Sequence, residues 1–439
     1  MKKAEIISKD AIIDLLNCEM VMATGCTEPA AIALTAAYAG KALADEGAVL
    51  ESIEVLASIN IIKNAMAAGI PGTAYTGIPY AAALGVFGDP NVKLEIFDRI
   101  SPADQKKAEA LVASRRVSVK TAQAPNILYI EVVAKSSGHF ARAVIADTHT
   151  NLIKLETDQG LLFTSGQPAF QQSTASSIEA ASALSVRRIL EFAEHEYDPA
   201  DKRVSIIRQS VEINSAISAE GLAHSYGLGL GRQLNSACEQ KRLGHDMATN
   251  AMMRTAAGAD ARMAGAPFPV VTNSGSGNQG ITATMPVVSV SQWLNCSEDR
   301  MLRAVALSNL TAIYIKSKFG RLSALCGATV AGTGAACGIV YLLGGGEKEI
   351  GHAIQNMIGN VTGMLCDGAK ADCALKISSC TNAAVQAAVM AMNGIAVSDK
   401  DGIVEGDPEQ SINNIARISH ECSRTIDETV LQIMLSKDR

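Results

Sequence analysis

The sequence predicts an α+β fold in which a mainly helical domain carries a smaller α/β domain inserted near its N-terminus. The chain has 439 residues, more than a single core usually holds, so two domains are expected. Short β-rich runs recur between about residues 50 and 165, whereas helical patterns continue from Thr174 nearly to the end. We therefore predict one domain from residues 1–48 and 166–439 and a second from residues 49–165.

The first 45 residues have the pattern of two helices separated by a break. Ile12, Leu15 and Leu16 recur at helical spacing before the break at residues 24–29. The alanine-rich run after it strongly favours helix, and Pro29 suits the first turn of that helix. Thr27 is the predicted N-cap, because a hydroxyl oxygen can accept a bond from a free amide of the first turn.

The predicted α/β domain contains runs that alternate apolar and polar residues between turn residues, which is typical of half-buried strands. A helix is predicted at 101–115. The predicted strands are 52–56, 92–97, 117–121, 127–133, 141–146 and 151–155.

The remaining chain is predicted to be helical, with one main irregular interruption at residues 267–286. The predicted helices are 178–195, 204–225, 246–264, 297–316, 353–364 and 381–395.

Composition excludes several functional classes. A formal net charge of -6 with scattered Lys and Arg argues against nucleic acid or an anionic membrane as partner, which leaves a small-molecule substrate or protein contacts. The N-terminus is charged where a signal peptide would be apolar, so a cytoplasmic location is expected. Residues 322–346 carry no charge, but their many small residues favour a buried helix over a membrane span. A homo-oligomer is the default expectation for a metabolic enzyme.

Ten cysteines in a chain without an export signal favour metal or catalytic roles over disulfides. Cys366 and Cys373 are separated by a segment that contains Gly368, and a turn there would direct both sulfurs to one point. Cys326 is followed directly by Gly327. Thiolates are soft ligands suited to iron–sulfur clusters, and three ligands for four irons would leave one iron open. Spacing alone leaves a second interpretation open, in which these are buried structural cysteines.

Several motifs occur together and in order along the chain, at residues 24–30, 60–64, 69–73 and 273–280, followed by the Cys326 and Cys366–Cys373 segments. Together they resemble the L-cysteine desulfidase family, which is related to the α-chain of the iron–sulfur L-serine dehydratases. The resemblance spans essentially the whole chain.

The resemblance implies a pyridoxal-independent lyase that converts L-cysteine to pyruvate, ammonia and hydrogen sulfide. It implies a 4Fe–4S cluster on Cys326, Cys366 and Cys373. In the dehydratase relatives the last two of these cysteines stand further apart, which places this chain nearer the desulfidases. Three alternatives remain open: an L-serine dehydratase with the same cluster, an enzyme that depends on pyridoxal phosphate, and a non-catalytic iron–sulfur redox sensor. The second would need a Schiff-base lysine near a phosphate-binding loop, and none of the available lysines lies in a recognisable setting of that kind.

The resemblance also indicates a role for Cys26, either in proton transfer or as a temporary cluster ligand that substrate displaces. The following helix N-terminus is expected to lower the pKa of this thiol. Glu28 and Lys63 are the other candidates for the general base, and Lys63 is also a candidate for binding the substrate carboxylate. Each residue also has a structural alternative. Cys26 would be a thiol packed at a helix junction, Glu28 a carboxylate that complements the helix dipole, and Lys63 a solvated surface lysine.

The glycine-rich segment 273–280 is the candidate for binding the substrate carboxylate, since its backbone amides can approach an anion. The alternative is a structural turn. Asn60 and Asn64 are expected to reach the substrate from the smaller domain. The predicted substrate-binding residues are Asn60, Asn64, Asn273, Ser274, Gly275, Ser276, Asn278 and Gln279.

Overall fold

The computed structural model describes residues 7–165, 180–320 and 323–437. It confirms the predicted α+β class, with helices in the majority, one mixed six-stranded sheet and one small two-stranded sheet. The strands are β1 Met22–Thr24, β2 Ser52–Ala57, β3 Val117–Thr121, β4 Tyr129–Ser136, β5 His139–Ala146, β6 Leu152–Thr157, β7 Gly160–Thr164 and β8 Pro269–Val271.

Most of the described chain outside the larger sheet is helical. The helices are α1 Lys9–Glu19, α2 Thr27–Asp45, α3 Ile59–Ala65, α4 Ile78–Gly85, α5 Pro102–Ala113, α6 Val186–Glu191, α7 Ser205–Ala223, α8 Leu230–Glu239, α9 Met247–Met263, α10 Gly277–Trp293, α11 Glu298–Phe319, α12 Gly327–Leu343, α13 Glu347–Val361, α14 Cys373–Met392 and α15 Pro408–Leu435. Shorter helical turns lie at Pro90–Arg99, Phe192–Glu196 and Lys202–Val204.

The larger sheet has the strand order β3-β2-β4-β5-β6-β7, in which only the β2–β3 pair is parallel. Its strands alternate as predicted, and Ile53, Val55 and Ala57 of β2 are buried on one face. Helix α2 packs on that face in the same hydrophobic core. The division at residues 48 and 165 stays a prediction, and this packing favours an earlier first boundary, before Thr27.

Three sequence predictions are wrong for identifiable reasons. Cys26 and not Thr27 is the N-cap of α2, because the extended backbone ends at Cys26 and Thr27 is already helical. Residues 92–97 form part of the helical turn Pro90–Arg99, whose backbone is kinked at Lys93, and not a strand. The predicted interruption at 267–286 is half helical, because α10 begins at Gly277 and continues through Pro286. All thirteen residues from 279 to 291 of this helix are buried, so tertiary packing overrides the usual helix-breaking effect of proline.

The second core surrounds α12, the buried helix predicted from the uncharged segment 322–346. Small residues let its neighbours approach closely: a Cβ at Gly334 would lie 2.3 Å from the carbonyl oxygen of Ser308 in α11. Every helix in the three described ranges is too short or too polar to cross a lipid bilayer.

Candidate active site

Four helices begin around one cavity of about 610 Å³, a volume that includes its open mouth. Cys26, Ser276 and Cys326 are the N-caps of α2, α10 and α12, and Cys373 is the first residue of α14. The first amides of a helix have no partner within the helix and carry partial positive charge. The cavity is therefore suited to anions, including thiolates and carboxylates.

Short β-pairings bring these helix starts together. Strands β1 and β8 are antiparallel, with Met22 opposite Val271, and the segment that follows β8 turns back to the start of α2, where Thr27 Oγ1 donates to the Gly275 carbonyl over 3.4 Å. The amide of Cys366 donates to the carbonyl of Ala324 over 2.7 Å, and the amide of Cys326 donates to the carbonyl of Met364 over 2.9 Å. These bonds join two chain segments that are forty residues apart in sequence, and both cysteines line the cavity with Cys373.

The loop that carries Cys366 and Cys373 is braced on both sides. Gly368 has φ 99°, and a Cβ there would lie 2.2 Å from the carbonyl oxygen of Lys63, so only glycine fits. Asp367 pairs with Lys370 and Lys376. Burial alone would raise the pKa of Asp367, but the two ammonium groups outweigh it and hold that pKa at about 2.

The three cysteines fit an iron–sulfur cluster better than a single metal ion. Burial raises the pKa of Cys326 to about 12, and Cys366 adds to the effect, so the thiols need a positive centre to become thiolates. In the ranges that the structure describes, groups of three or more ligand atoms that all lie within 4.8 Å of one another occur only at Glu46, His139 and Asp158. The sulfurs of Cys326, Cys366 and Cys373 therefore do not all lie within 4.8 Å of one another, a spread that suits three thiolates on different irons better than three thiolates on one ion.

A thiol and a carboxylate form a second group in the cavity. The Cys26 thiol donates to Glu28 Oε2 over 3.0 Å, and Asn64 Nδ2 donates to Glu28 Oε1 over 3.1 Å. Burial alone would raise the pKa of Glu28, but His149, the Cys26 hydrogen bond and Arg262 together lower it, so this carboxylate is ionised at neutral pH. Glu28 lines the cavity with Asn64 as predicted.

The expected lowering of the Cys26 pKa is wrong. Burial and the neighbouring Glu28 charge raise the pKa of this thiol well above its ordinary value. They outweigh the helix N-terminus, because the thiol is 4% exposed and lies beside an ionised carboxylate.

The glycine-rich segment divides into two parts. Gly275, Ser276, Asn278 and Gln279 line the cavity. Asn273 is fully buried beneath them, where its side-chain amide donates to the Asn309 carbonyl over 3.1 Å. Ser274 is 8% exposed, and its hydroxyl donates to the Asn273 side chain, so both residues support the loop from below the cavity wall.

Lys63 and Asn60 are not among the residues that line the cavity. The Lys63 side chain is 1% exposed, so a solvated surface lysine is excluded. Its Nζ lies 2.5 Å from Asp427 Oδ1 in α15 and donates to the Cys366 carbonyl over 3.1 Å. These contacts hold the cysteine loop in place and do not direct the amine toward a substrate. Asn60 is half-buried in the first turn of α3.

Sequence reasoning missed Arg262, which lines the cavity from the last turn of α9 and is 4% exposed. Its Nη2 donates to the Gly25 carbonyl over 2.9 Å, and its Nη1 donates to Asn278 Oδ1 over 3.0 Å. A signal was present, since this arginine follows a run of alanine and glycine at 256–261 that is otherwise interrupted only by Asp260. A charged residue in such a tightly packing segment is unusual unless it has a polar partner.

The family model for the serine dehydratase alpha chain matches residues 91–432. The chain belongs to the serine dehydratase alpha chain family. The matched region contains Cys326, Cys366, Cys373 and the glycine-rich segment, whereas Cys26, Glu28 and Lys63 precede it.

Full-length relatives carry the name "UPF0597 protein". One from Oleidesulfovibrio alaskensis is 44% identical over 427 residues, covering 97% of both chains. One from Bacteroides thetaiotaomicron is 41% identical, also covering 97% of both chains. One from Aeromonas hydrophila is 42% identical and covers 97% of this chain and 96% of its own. The similarity therefore includes the N-terminal segment with Cys26 and Glu28 as well as the family match.

Proposed function

We propose that this protein is an iron–sulfur-dependent, pyridoxal-independent lyase that eliminates sulfide from L-cysteine. The observation that carries the proposal is that Cys326, Cys366 and Cys373 line one cavity at the starts of two helices. These thiolates would hold a 4Fe–4S cluster, which when bound supplies a Lewis-acidic iron for the heteroatom of a substrate.

In the proposed reaction the Cα–H and Cβ–S bonds of L-cysteine break. Sulfur leaves with the bonding electron pair and is protonated to hydrogen sulfide, and the remaining aminoacrylate takes up water to give pyruvate and ammonia. Two groups of the chain can move the protons. Glu28 is ionised and can accept one, whereas Cys26 is protonated and hydrogen-bonded to it, and can return one.

The second candidate substrate is L-serine, which the description of the matching family favours. Serine and cysteine differ by one atom, and the same cavity would accept either. The seven-residue step from Cys366 to Cys373 supports cysteine, because the dehydratase relatives separate these cysteines further.

The test is an anaerobic preparation in which iron and acid-labile sulfide are measured per chain, together with product release. We expect about four of each per chain, with sulfide and pyruvate released in step from L-cysteine. Faster pyruvate release from L-serine than from L-cysteine would make the protein a serine dehydratase. A full cluster without turnover of either amino acid would favour the alternative in which the protein is a non-catalytic redox sensor.

Cys373→Ser is expected to lose iron and activity while the protein stays folded. Cys337→Ala is the matched control, because Cys337 is buried in α12 and does not line the cavity. Full activity of Cys373→Ser without iron would contradict the cluster, and loss of iron in the control would mean that the assay reports folding and not ligation.

A further inference from the structure

Arg262 is a buried cation in the cavity that makes no direct ion pair with a carboxylate of the described residues, although its charge helps to lower the pKa of Glu28 in the same cavity. Its hydrogen bonds go to a backbone carbonyl, to the Asn278 amide oxygen and to the Met263 sulfur, all neutral acceptors. Its Nε has no acceptor in the described part of the chain. No ion pair within 4.0 Å joins Arg262 to a carboxylate among the described residues, including Glu28 in the same cavity. Burial of a charge without a counter-charge in direct contact is costly, so this arrangement indicates that an anion binds here.

The guanidinium lies against the start of α10, where a helix already favours an anion. A Cβ at Gly277, the first residue of α10, would lie 2.3 Å from Arg262 Nε, so only glycine lets the two approach. The Ser276 hydroxyl caps the Gln279 amide, whereas the amides of Gly277 and Asn278 have no partner within the helix. An arginine fork beside these two amides matches the planar, two-oxygen geometry of a carboxylate.

The same cavity also holds a negative group at a separate position. Glu28 accepts hydrogen bonds from Cys26, Thr27 and Asn64, and these fix its carboxylate. One positive and one negative group held apart in a small cavity match the carboxylate and ammonium of an α-amino acid. They match a phosphate ester or a dicarboxylate less well, since Glu28 would repel a second negative charge.

We infer that Arg262 and the first backbone amides of α10 bind the α-carboxylate of the amino acid substrate. This inference rests on the proposed function for the identity of the substrate, but not for the existence of the anion site. Arg262 is then the residue that selects free amino acids over their amides, and Asn278 is a positioning residue that orients its fork. The glycine-rich segment contributes backbone amides, and the positive charge that recognises the carboxylate comes from Arg262 on α9.

Calorimetric titration with L-alanine tests the inference, because L-alanine has the carboxylate but no leaving group. The anaerobically reconstituted wild type is expected to bind L-alanine and to bind L-alaninamide at least about tenfold more weakly. Arg262→Met is expected to weaken L-alanine binding by about tenfold to a hundredfold and to leave the amide unchanged. Arg262→Lys keeps the charge without the fork and should fall between them.

Arg254→Met is the matched control. Arg254 lies two turns earlier on α9, donates to the neutral side chain of Gln292, and is not among the cavity-lining residues, so its loss should leave L-alanine binding unchanged. If Arg262→Met does not fold, two measurements still test the inference. They are the binding of L-alanine against L-alaninamide to the wild type, and the binding of L-alanine to Arg262→Lys.

Three results would overturn the inference: equal binding of L-alanine and its amide, unchanged binding in Arg262→Met, or no binding of L-alanine to the wild type. Binding of inorganic phosphate that depends on Arg262, without binding of L-alanine, would instead assign the site to an inorganic anion. L-cysteine turnover in the same preparations separates the two proposals. Arg262-dependent binding without turnover rejects the lyase and keeps the anion site. Turnover with an unchanged KM in Arg262→Met rejects the anion site and keeps the lyase.

Discussion

Lys63 and Arg262 are both buried cations beside the cysteine cavity, and they differ in what neutralises them. Lys63 is 1% exposed and is paired with Asp427, a carboxylate that is itself 4% exposed. Arg262 is 4% exposed and donates only to neutral acceptors. A buried charge with a direct counter-charge from the chain is already neutralised within the fold. A buried charge without a direct counter-charge is available to a ligand, so the pairing and not the burial distinguishes a structural cation from a binding one.

The pairing explains why Lys63 belongs to the architecture of the site. Its ammonium joins α3 to Asp427 in α15 and to the carbonyl of Cys366, so one buried ion pair holds α3, α15 and the cysteine loop together. The proposed catalytic role of Lys63 stays a prediction, but the contacts support a positioning role.

The largest expected effect comes from breaking this pair. Lys63→Met leaves Asp427 as an uncompensated buried charge, and we expect the free energy of unfolding to fall by about 3–5 kcal/mol. Denaturant titration measures the loss, and iron content should fall with it because Cys366 loses the contact to its carbonyl.

A double substitution separates the lost ion pair from the lost packing. Lys63→Met combined with Asp427→Leu removes both charges, and we expect it to recover most of the lost stability, since apolar replacement of a buried pair is often neutral. A double variant that is no more stable than Lys63→Met would show that the packing of these side chains matters more than their charges.

A smaller effect is expected from Asp260, a fully buried carboxylate on the same helix as Arg262. Burial raises the pKa of Asp260 to about 6 although the amide of Gly231 donates to it over 3.0 Å, so Arg262 does not neutralise it. Since the folded pKa is above the unfolded value of 3.8, the folded state holds its proton longer as pH rises. This group therefore favours folding most below pH 3.8, and that contribution is lost between about pH 4 and 6.

The pH dependence is checked against Asp260→Asn. The stability of the wild type relative to this variant should fall by at most about 3 kcal/mol between pH 4 and pH 6.5 and stay constant above. A difference that rises with pH over this range would mean that Asp260 is paired with a cation.

Arg262→Met should affect stability less than Lys63→Met does, which is the direct test of the comparison. It removes hydrogen bonds to neutral acceptors and breaks no direct ion pair, and Glu28 keeps its hydrogen bonds from Cys26, Thr27 and Asn64, so we expect a loss of about 1–2 kcal/mol by denaturant titration. A loss as large as that of Lys63→Met would indicate that Arg262 is mainly a structural cation.

The fold was largely predictable because local patterns agree with it. Alternating residues in β2 and the alanine-rich run of α2 predict a strand and a helix that the structure confirms. The helix through Pro286 was not predictable, since its stability comes from burial among distant segments.

The residue types of the site were predictable from the sequence, but the hydrogen bonds and ion pairs that join them were not. The motif cysteines were identified, but spacing does not reveal that Cys366 donates its amide to Ala324. The roles of Lys63 and Arg262 depend on Asp427 and Asn278, which are distant in sequence or lie on another helix. Tertiary packing brings such partners together, so a single sequence shows that a residue is charged but not which group it contacts.

The smallest expected effect comes from an ion pair with the same chemistry as Lys63–Asp427 but at the surface. Glu54 of β2 pairs with Lys120 and Lys135 over 2.5 and 2.6 Å, and these lysines hold its pKa at about 2. Because the folded pKa is lowered, its contribution is present above the unfolded value of 4.5 and is lost as pH falls toward 2. The side chains of both lysines are well exposed and water screens the pairs, so Glu54→Gln should cost less than about 1 kcal/mol at pH 7. Denaturant titration at pH 7 in low and high salt measures it. A loss comparable to that of Lys63→Met would mean that burial is not what makes the Lys63 pair important, and the distinction between the two buried cations would lose its basis.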